Sequence, residues 1–320
     1  MTTYDYEKSR DEIAKRRQNK ASGFKRPVGL ERKPEWLKVK IPTSDNYKEI
    51  KANLRKKGLF TVCEEASCPN ISECWEAKTA TMMILGGTCT RACKFCHVDT
   101  GNPKGLVNLK EIDQAAEMAS TMNLEYLVIT SVDRDDLPDF GSGHFAAVVK
   151  KIREEHPSTM VEVLVPDFDG IEEHMHTLAQ SNPLVIAQNI ETVKRLTHQV
   201  RDKRAGYVKS LSCLDFYKKN YPQNFTKTSL MVGLGESMDE IIECLKDLRI
   251  VGVDIVTFGQ YLRPTPRHLK VERYYRPEEF ATLKKIALDM GFKFVASGPL
   301  VRSSYKASDF LKFLQAQNAN

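Results

Sequence analysis

The stretch Thr81-Met-Met-Ile-Leu-Gly-Gly-Thr-Cys89-Thr-Arg-Ala-Cys93-Lys-Phe-Cys96 decides the architecture. A short apolar run, Thr81–Leu85, stops at paired glycines and opens into three cysteines spaced C-x3-C-x2-C. The run is short for a helix and fits a strand buried on both faces of a parallel sheet. Similar runs follow at Tyr126–Ser131, Val161–Val165, Val185–Asn189, Ser229–Gly233 and Asp254–Gln260. Helix-like stretches lie between and after them: Leu109–Thr121, Gly143–Glu155, Ile171–Gln180, Ser237–Ile250 and Pro277–Met290. Ser237 with Glu240 has the spacing of a capping box. A further segment, Phe294–Val301, leads into Arg302-Ser303-Ser304-Tyr305. Alternation of this kind predicts an α/β fold, a partial (βα)6 TIM-like barrel with N-terminal and C-terminal extensions. In such folds chemistry collects at the C-terminal ends of the strands. The cysteine loop leaves the first strand at that end.

A second triplet lies upstream, Cys63-x4-Cys68-x5-Cys74. Six of the chain's eight cysteines therefore fall between positions 63 and 96. Three thiolates occupy three corners of a 4Fe–4S cubane and leave one iron open to an outside ligand, so two such triplets point to two clusters. Zinc, the main competitor, wants four closed tetrahedral ligands. His97 follows Cys96 directly, and adjacent residues rarely reach one tetrahedral ion together. Cys213 and Cys244 sit in helix-like patterns and read as buried small hydrophobes.

The composition is that of an ordinary globular chain, 41% hydrophobic and 28% charged over 320 residues. No apolar run approaches the roughly 18–20 residues that span a bilayer. The first thirty residues hold no apolar signal core and do contain Asp5, Glu7, Asp11 and Glu12. A cytoplasmic protein without membrane association is expected, and in a reducing compartment clustered cysteines read as metal ligands before disulfides. Charge is uneven: residues 1–58 carry 17 Lys/Arg against 8 Asp/Glu, a net of +9, and the remainder carries 31 against 34, a net of −3. The basic stretch is either a solvated arm or a surface that attracts an acidic macromolecule. No nucleic-acid-binding signature accompanies it, so a nucleic-acid partner is not expected.

The C-x3-C-x2-C run, with Phe95 before its last cysteine, resembles the radical S-adenosylmethionine (SAM) superfamily. The upstream C-x4-C-x5-C narrows the resemblance to the lipoyl synthase family. It extends from about residue 30 to 308 and includes CEEASCPNISECW, TCTRACKFCHVDTG, TSVDRDDLPD, NIETV, VGLGE, FGQYLRPT and GPLVRSSYKA. Two small departures stand beside it, Phe140-Gly141-Ser142-Gly143 after TSVDRDDLPD and Thr226-Lys227-Thr228-Ser229 before VGLGE. Neither touches a proposed cluster ligand.

The resemblance implies the chemistry. Two sulfur atoms are inserted at C6 and C8 of a protein-bound N6-octanoyl-lysine, giving the lipoyl cofactor. Unactivated C–H bonds need a radical, which a cofactor must supply. In the family a cluster on Cys89, Cys93 and Cys96 binds SAM and generates that radical. The auxiliary cluster on Cys63, Cys68 and Cys74 donates sulfur, and its fourth iron is held by the serine matching Ser304. An oxygen ligand is harder than thiolate and binds such iron less firmly. Ser131, Asp133, Asn189, Glu191, Gly233, Gly235 and Glu236 are the candidate SAM contacts. Expected partners are octanoylated lipoyl-carrier domains of 2-oxoacid dehydrogenase complexes or the glycine cleavage H protein. An electron donor such as flavodoxin or ferredoxin and an iron–sulfur carrier protein are also implied. The chain then divides into a basic extension (1–58), an auxiliary-cluster segment (59–79), the radical SAM core (80–291) and a C-terminal segment with the RSSY motif (292–320). A monomer is expected. Rival readings are a biotin-synthase-like sulfur inserter, which lacks the upstream triplet and RSSY, a non-catalytic iron–sulfur redox protein, and a zinc-containing nucleic-acid binder. The redox protein would complete each cluster with a fourth cysteine.

If the basic arm docks an acidic carrier domain, raising salt raises KM for the carrier and leaves KM for a short octanoyl-lysine peptide unchanged. Steady-state kinetics on both substrates checks this, and equal salt effects would refute it.

Overall fold

In a computed structural model of the chain, the described residues are 33–38, 45–56, 61, 70–76, 78–304 and 307–318. Cys63, Cys68, Tyr305 and most of the basic arm lie outside them. The strands are β1 (Thr79–Ile84), β2 (Tyr126–Ser131), β3 (Met160–Leu164), β4 (Val185–Ala187), β5 (Phe225–Val232), β6 (Ile255–Gln260) and β7 (Phe294–Gly298). They pair in chain order, all parallel, from β1 at one edge to β7 at the other. Helices α1 (Asp45–Lys56) and α2 (Ile71–Glu76) precede this sheet. Between the strands run α3 (Glu111–Thr121), α4 (Ser142–Glu155), α5 (Glu172–Ala179), α6 (Tyr207–Asn220), α7 (Met238–Ile250) and α8 (Pro277–Asp289). The last helix, α9, spans Ala307–Asn318. Parallel strands in sequential order, each with its helix outside, form an open (βα) barrel.

Sequence and structure agree on the first six strands and differ in three places. The segment read as a lead-in to RSSY is a seventh strand, with Ile255 to Gly259 in register with Phe294 to Gly298. β5 begins four residues earlier than its apolar run because its polar residues are buried and satisfied. Thr226 exchanges hydrogen bonds with Asp254, Lys227 pairs with Glu162, and the Thr228 hydroxyl donates to the Gln188 carbonyl at 2.9 Å. α6 shows in the sequence only as the helix-like pattern around Cys213, because its buried face includes Ser210 and Tyr217 beside Cys213 and Leu214. The capping box at α7 forms as read, with Ser237 accepting from the Glu240 amide and Glu240 reaching back to the Ser237 amide.

Outward strand residues and helices make two cores, one under α3–α6 and one under α7 and α8. The inner face is filled differently at its two ends. Near the N-terminal ends of β4–β7, Phe310 of α9, 2% exposed, packs with Val185, Phe225, Ile255 and Phe294. Beside it, Lys227 and Glu162 form an ion pair of 2.7 Å, and the Tyr126 hydroxyl donates to Glu162 at 2.9 Å. Burial, and then the Glu162 charge, push the Tyr126 phenol well above its ordinary pKa. The opposite end of the inner face stays open, and the candidate site lies there. Among the described residues no helix is long and apolar enough to cross a membrane.

Lys227→Met leaves Glu162 as an uncompensated charge in a dry interior, a loss of about 3–5 kcal/mol expected in chemical denaturation. Adding Glu162→Leu should restore most of that loss.

Candidate active site

Glycines 86 and 87 end β1, and the cysteine loop turns across the mouth of the barrel. Short parallel pairing of Thr88–Cys89 with Asp99–Thr100 closes it into a compact unit. The chain fastens this loop from several sides. Thr90 N–H donates to Asp133 O at 3.0 Å and Lys94 N–H to Val200 O at 2.9 Å. The Asp202 carboxylate accepts from Ala92 N–H at 2.8 Å, and Arg204 reaches the Thr90 carbonyl at 2.6 Å. His268 Nε2 donates to Cys96 O at 2.9 Å, with the Thr265 hydroxyl on its other nitrogen at 2.8 Å.

Arg91, between the first two cysteines, is the strongest of these ties. It is 4% exposed. Its fork meets Asp167 at 2.7 and 2.8 Å, Asp135 at 2.9 Å and Asp133 at 3.3 Å. These carboxylates follow β2 and β3, so one guanidinium fixes the loop to two strand ends. Bidentate geometry of this kind needs arginine.

Cys89, Cys93 and Cys96 are free thiols on the wall of one cavity of about 360 Å³. The same wall holds Ser131, Asp133, Asn189, Glu191 and Ser304. Backbone amides point at the sulfurs: Arg91 N–H at Cys89 Sγ, 3.4 Å, and Asp202 N–H at Cys93 Sγ, 3.2 Å, while the Val98 amide bonds Cys96. Burial, then nearby Asp133, pushes the Cys89 thiol up to about 12. Burial likewise lifts Cys93 to about 12 and Cys96 to about 11. Burial also raises Asp133 to about 6, against the pull of Arg91. A bound metal ion would favour the thiolate forms that burial disfavours.

The donor set suits a polynuclear cluster. Among the described residues no group of three or more His, Cys, Asp or Glu is drawn together as a single-ion site. Cys89, Cys93 and Cys96 line one cavity, and three thiolates are the donor set of a 4Fe–4S cubane with one open iron, whereas a structural zinc takes four. The cavity also suits a ligand rich in donors. Gln188 Oε1 and Asn189 Oδ1 are buried acceptors with no partner, and both residues line it. Asn189 Nδ2 donates to Glu191 at 3.0 Å, and Glu191 holds a left-handed φ of 66°. Arg201, 8% exposed, lines the cavity too, held by Ser210 at 2.8 Å.

Three predicted contacts do not reach this wall. Gly233 and Gly235 have φ of 99° and 103°, but the space beside Gly233 is taken by the Gln260 amide and the Arg273 carbonyl. Glu236 accepts from Gly233 N–H at 2.6 Å and Leu234 N–H at 2.9 Å, closing its own turn. Cys74 lies on α2, partly buried against the core, and not on the cavity wall. Its segment is tied to the C-terminal one, since Asn70 Nδ2 donates to Leu300 O at 2.6 Å, four residues before Ser304. Arg91, Gln188 and Arg201 were not singled out from sequence. The signal for Arg91 was present: a cation inside a cysteine triplet, facing aspartates at two strand ends.

The radical SAM superfamily profile matches residues 83–248, and that of the N-terminal domain of lipoyl synthase matches residues 5–68. A lipoyl synthase from Marinobacter nauticus is 55% identical over 278 residues, 87% of this chain and 80% of that protein. One from Thermus thermophilus is 54% identical over 283 residues, 88% of each chain. The chain belongs to the lipoyl synthase family of radical SAM enzymes. SAM and iron–sulfur chemistry follow from that membership. Two solved structures share the fold at low identity. Streptococcus suis SuiB bound to precursor peptide SuiA aligns at 12% identity and TM-score 0.54, covering 90% of this chain and 61% of its own. The FeFe-hydrogenase maturase HydG from Carboxydothermus hydrogenoformans aligns at 11% and 0.52, covering 85% and 78%.

Arg91→Lys keeps the charge and loses the fork. We expect a stability loss of about 3 kcal/mol by chemical denaturation. Iron retained after anaerobic reconstitution should fall at least about twofold, because the thiols lose their common frame.

Proposed function

We propose that this chain inserts two sulfur atoms, at C6 and C8, into N6-octanoyl-lysine on lipoyl-carrier domains. One observation carries the reading: Cys89, Cys93, Cys96 and Ser304 line the same cavity at the C-terminal ends of the strands. In this reading one 4Fe–4S cluster rests on Cys89, Cys93 and Cys96, and a second on Cys63, Cys68, Cys74 and Ser304. When bound, the clusters supply the electron that cleaves SAM to a hydrogen-abstracting radical and the sulfide that is inserted.

The chain's own residues hold the reactants. Arg201 offers its guanidinium to a carboxylate, and the free acceptors of Gln188 and Asn189 take donors from an amine or ribose. Glu191 adds negative charge for the amine. Met83, Phe95, Val132 and Leu164 give the wall an apolar lining that keeps water from a reactive carbon centre. Ser304 would offer a fourth iron a harder, more weakly held oxygen ligand than a thiolate. The proposed partners are octanoylated domains of 2-oxoacid dehydrogenase complexes or the glycine cleavage H protein, a flavodoxin- or ferredoxin-like donor and an iron–sulfur carrier. The division at residues 58, 79 and 291 and a cytoplasmic location belong to the same reading.

The test is anaerobic turnover of reconstituted protein with SAM, dithionite and an octanoyl-lysine peptide, read by mass spectrometry. A peptide gaining two sulfurs, with 5′-deoxyadenosine alongside, is expected. 5′-Deoxyadenosine with unmodified peptide would refute the substrate assignment. Ser304→Ala should still form 5′-deoxyadenosine and lose sulfur insertion. Normal sulfur insertion by that variant would refute the ligand role.

A further inference from the structure

The cysteine loop has two sides. Its sulfurs face the cavity, and Ala92 and Lys94 face solvent. One thickness of backbone therefore separates bulk water from the thiols. Two loops flank this outer side and are bonded directly to it. The 198–204 segment joins through Val200 O on Lys94 N–H and Asp202 on Ala92 N–H. The 263–270 segment joins through His268 on Cys96 O and Leu269 N–H on Lys94 O.

Both flanks are basic. Residues 194–204 hold five Lys/Arg against Asp202 alone, and residues 262–273 hold four against Glu272 alone. Arg201 is buried, however, and Arg195, Arg204 and Arg273 are paired with carboxylates, so the outward charge rests chiefly on Lys203, Arg267 and Lys270. Asp202 is consumed internally by Arg204 and the Ala92 amide. Lys94, Lys203, Arg267 and Lys270 are exposed around the same outer face. A field of this kind steers an acidic macromolecule to the surface. The second observation gives the surface a purpose. The Asp202 amide, next to exposed Lys203, donates to Cys93 Sγ at 3.2 Å, so this face has a hydrogen-bonded route of a few atoms to a cluster thiolate.

We infer that this basic face, around Lys94, Lys203, Arg267 and Lys270, docks an acidic one-electron carrier protein. It rests on the proposed radical chemistry, which consumes an electron that the chain's own residues do not provide. The reduced carrier gives up one electron and leaves oxidised by one, and the enzyme gains that electron through the Cys93 side.

The experiment uses the reconstituted holoenzyme and a triple variant, Lys203→Glu, Arg267→Glu and Lys270→Glu, with a reduced acidic flavodoxin as probe. Kd for the flavodoxin is measured directly at several salt concentrations. SAM cleavage is measured with flavodoxin and, separately, with dithionite. Kd should rise at least about tenfold with a weaker salt dependence, corresponding to about 1.4 kcal/mol. Flavodoxin-driven cleavage should fall by a similar factor at limiting donor, and dithionite-driven cleavage should stay within about twofold. An unchanged Kd would overturn the inference. So would a rise in Kd for an octanoylated carrier domain as large as the rise for flavodoxin. Wild-type SAM cleavage with dithionite reads the proposed function separately, so its failure would be recognisable apart from a failure of docking.

Discussion

A single buried guanidinium organises this site. Arg91 stands inside the cysteine triplet and engages Asp133, Asp135 and Asp167. Without it, three carboxylates would face one another in a partly dehydrated pocket, and the loop would have no rigid tie to β2 and β3. Burying such a network is not stabilising by itself, because desolvation offsets the attraction. What it gives is position. Most of the remaining ties are single hydrogen bonds to backbone, and they tolerate small shifts that a fork on three carboxylates does not.

The barrel explains why the site opens at one end only of its inner face among the described residues. Its inner face is closed at one end by Phe310 and by the Lys227–Glu162–Tyr126 group. Only the C-terminal ends of the strands remain to receive a ligand. There the polar walls come from loops after β2, β3 and β4, while the C-terminal segment contributes Ser303 and Ser304. Elements far apart in sequence thus meet over one cavity, as parallel sheets with short top-side loops allow.

Most of the strand order was legible because buried parallel strands are continuous apolar runs. β5 was legible only in part, since Thr226, Lys227 and Thr228 look like loop residues until their partners are known. Asp254, Glu162 and Gln188 come from other strands or their ends, and no local window contains them. The extent of α6 around Cys213 was hidden for a similar reason, its buried Ser210 being satisfied by Arg201. Of the residues on the cavity wall, Cys89, Cys93, Cys96 and Ser304 carry a motif signal in the sequence, and Ser131, Asp133, Asn189 and Glu191 a positional one after a strand. The Gly233–Glu236 turn carried the same positional signal but spends its polar groups on itself. Arg91 and Arg201 act through contacts at long range, which spacing alone does not encode.

The Phe310 plug has a bearing on biosynthesis. It belongs to α9, the last helix, yet it fills the interior of strands β4 to β7 that precede it. During vectorial synthesis those strands leave the ribosome before their filling does. For that interval Val185, Phe225, Ile255 and Phe294 form an unfilled apolar hollow, a natural target for chaperones and for self-association. Nascent chains stalled ahead of α9 would therefore aggregate more readily than full-length ones.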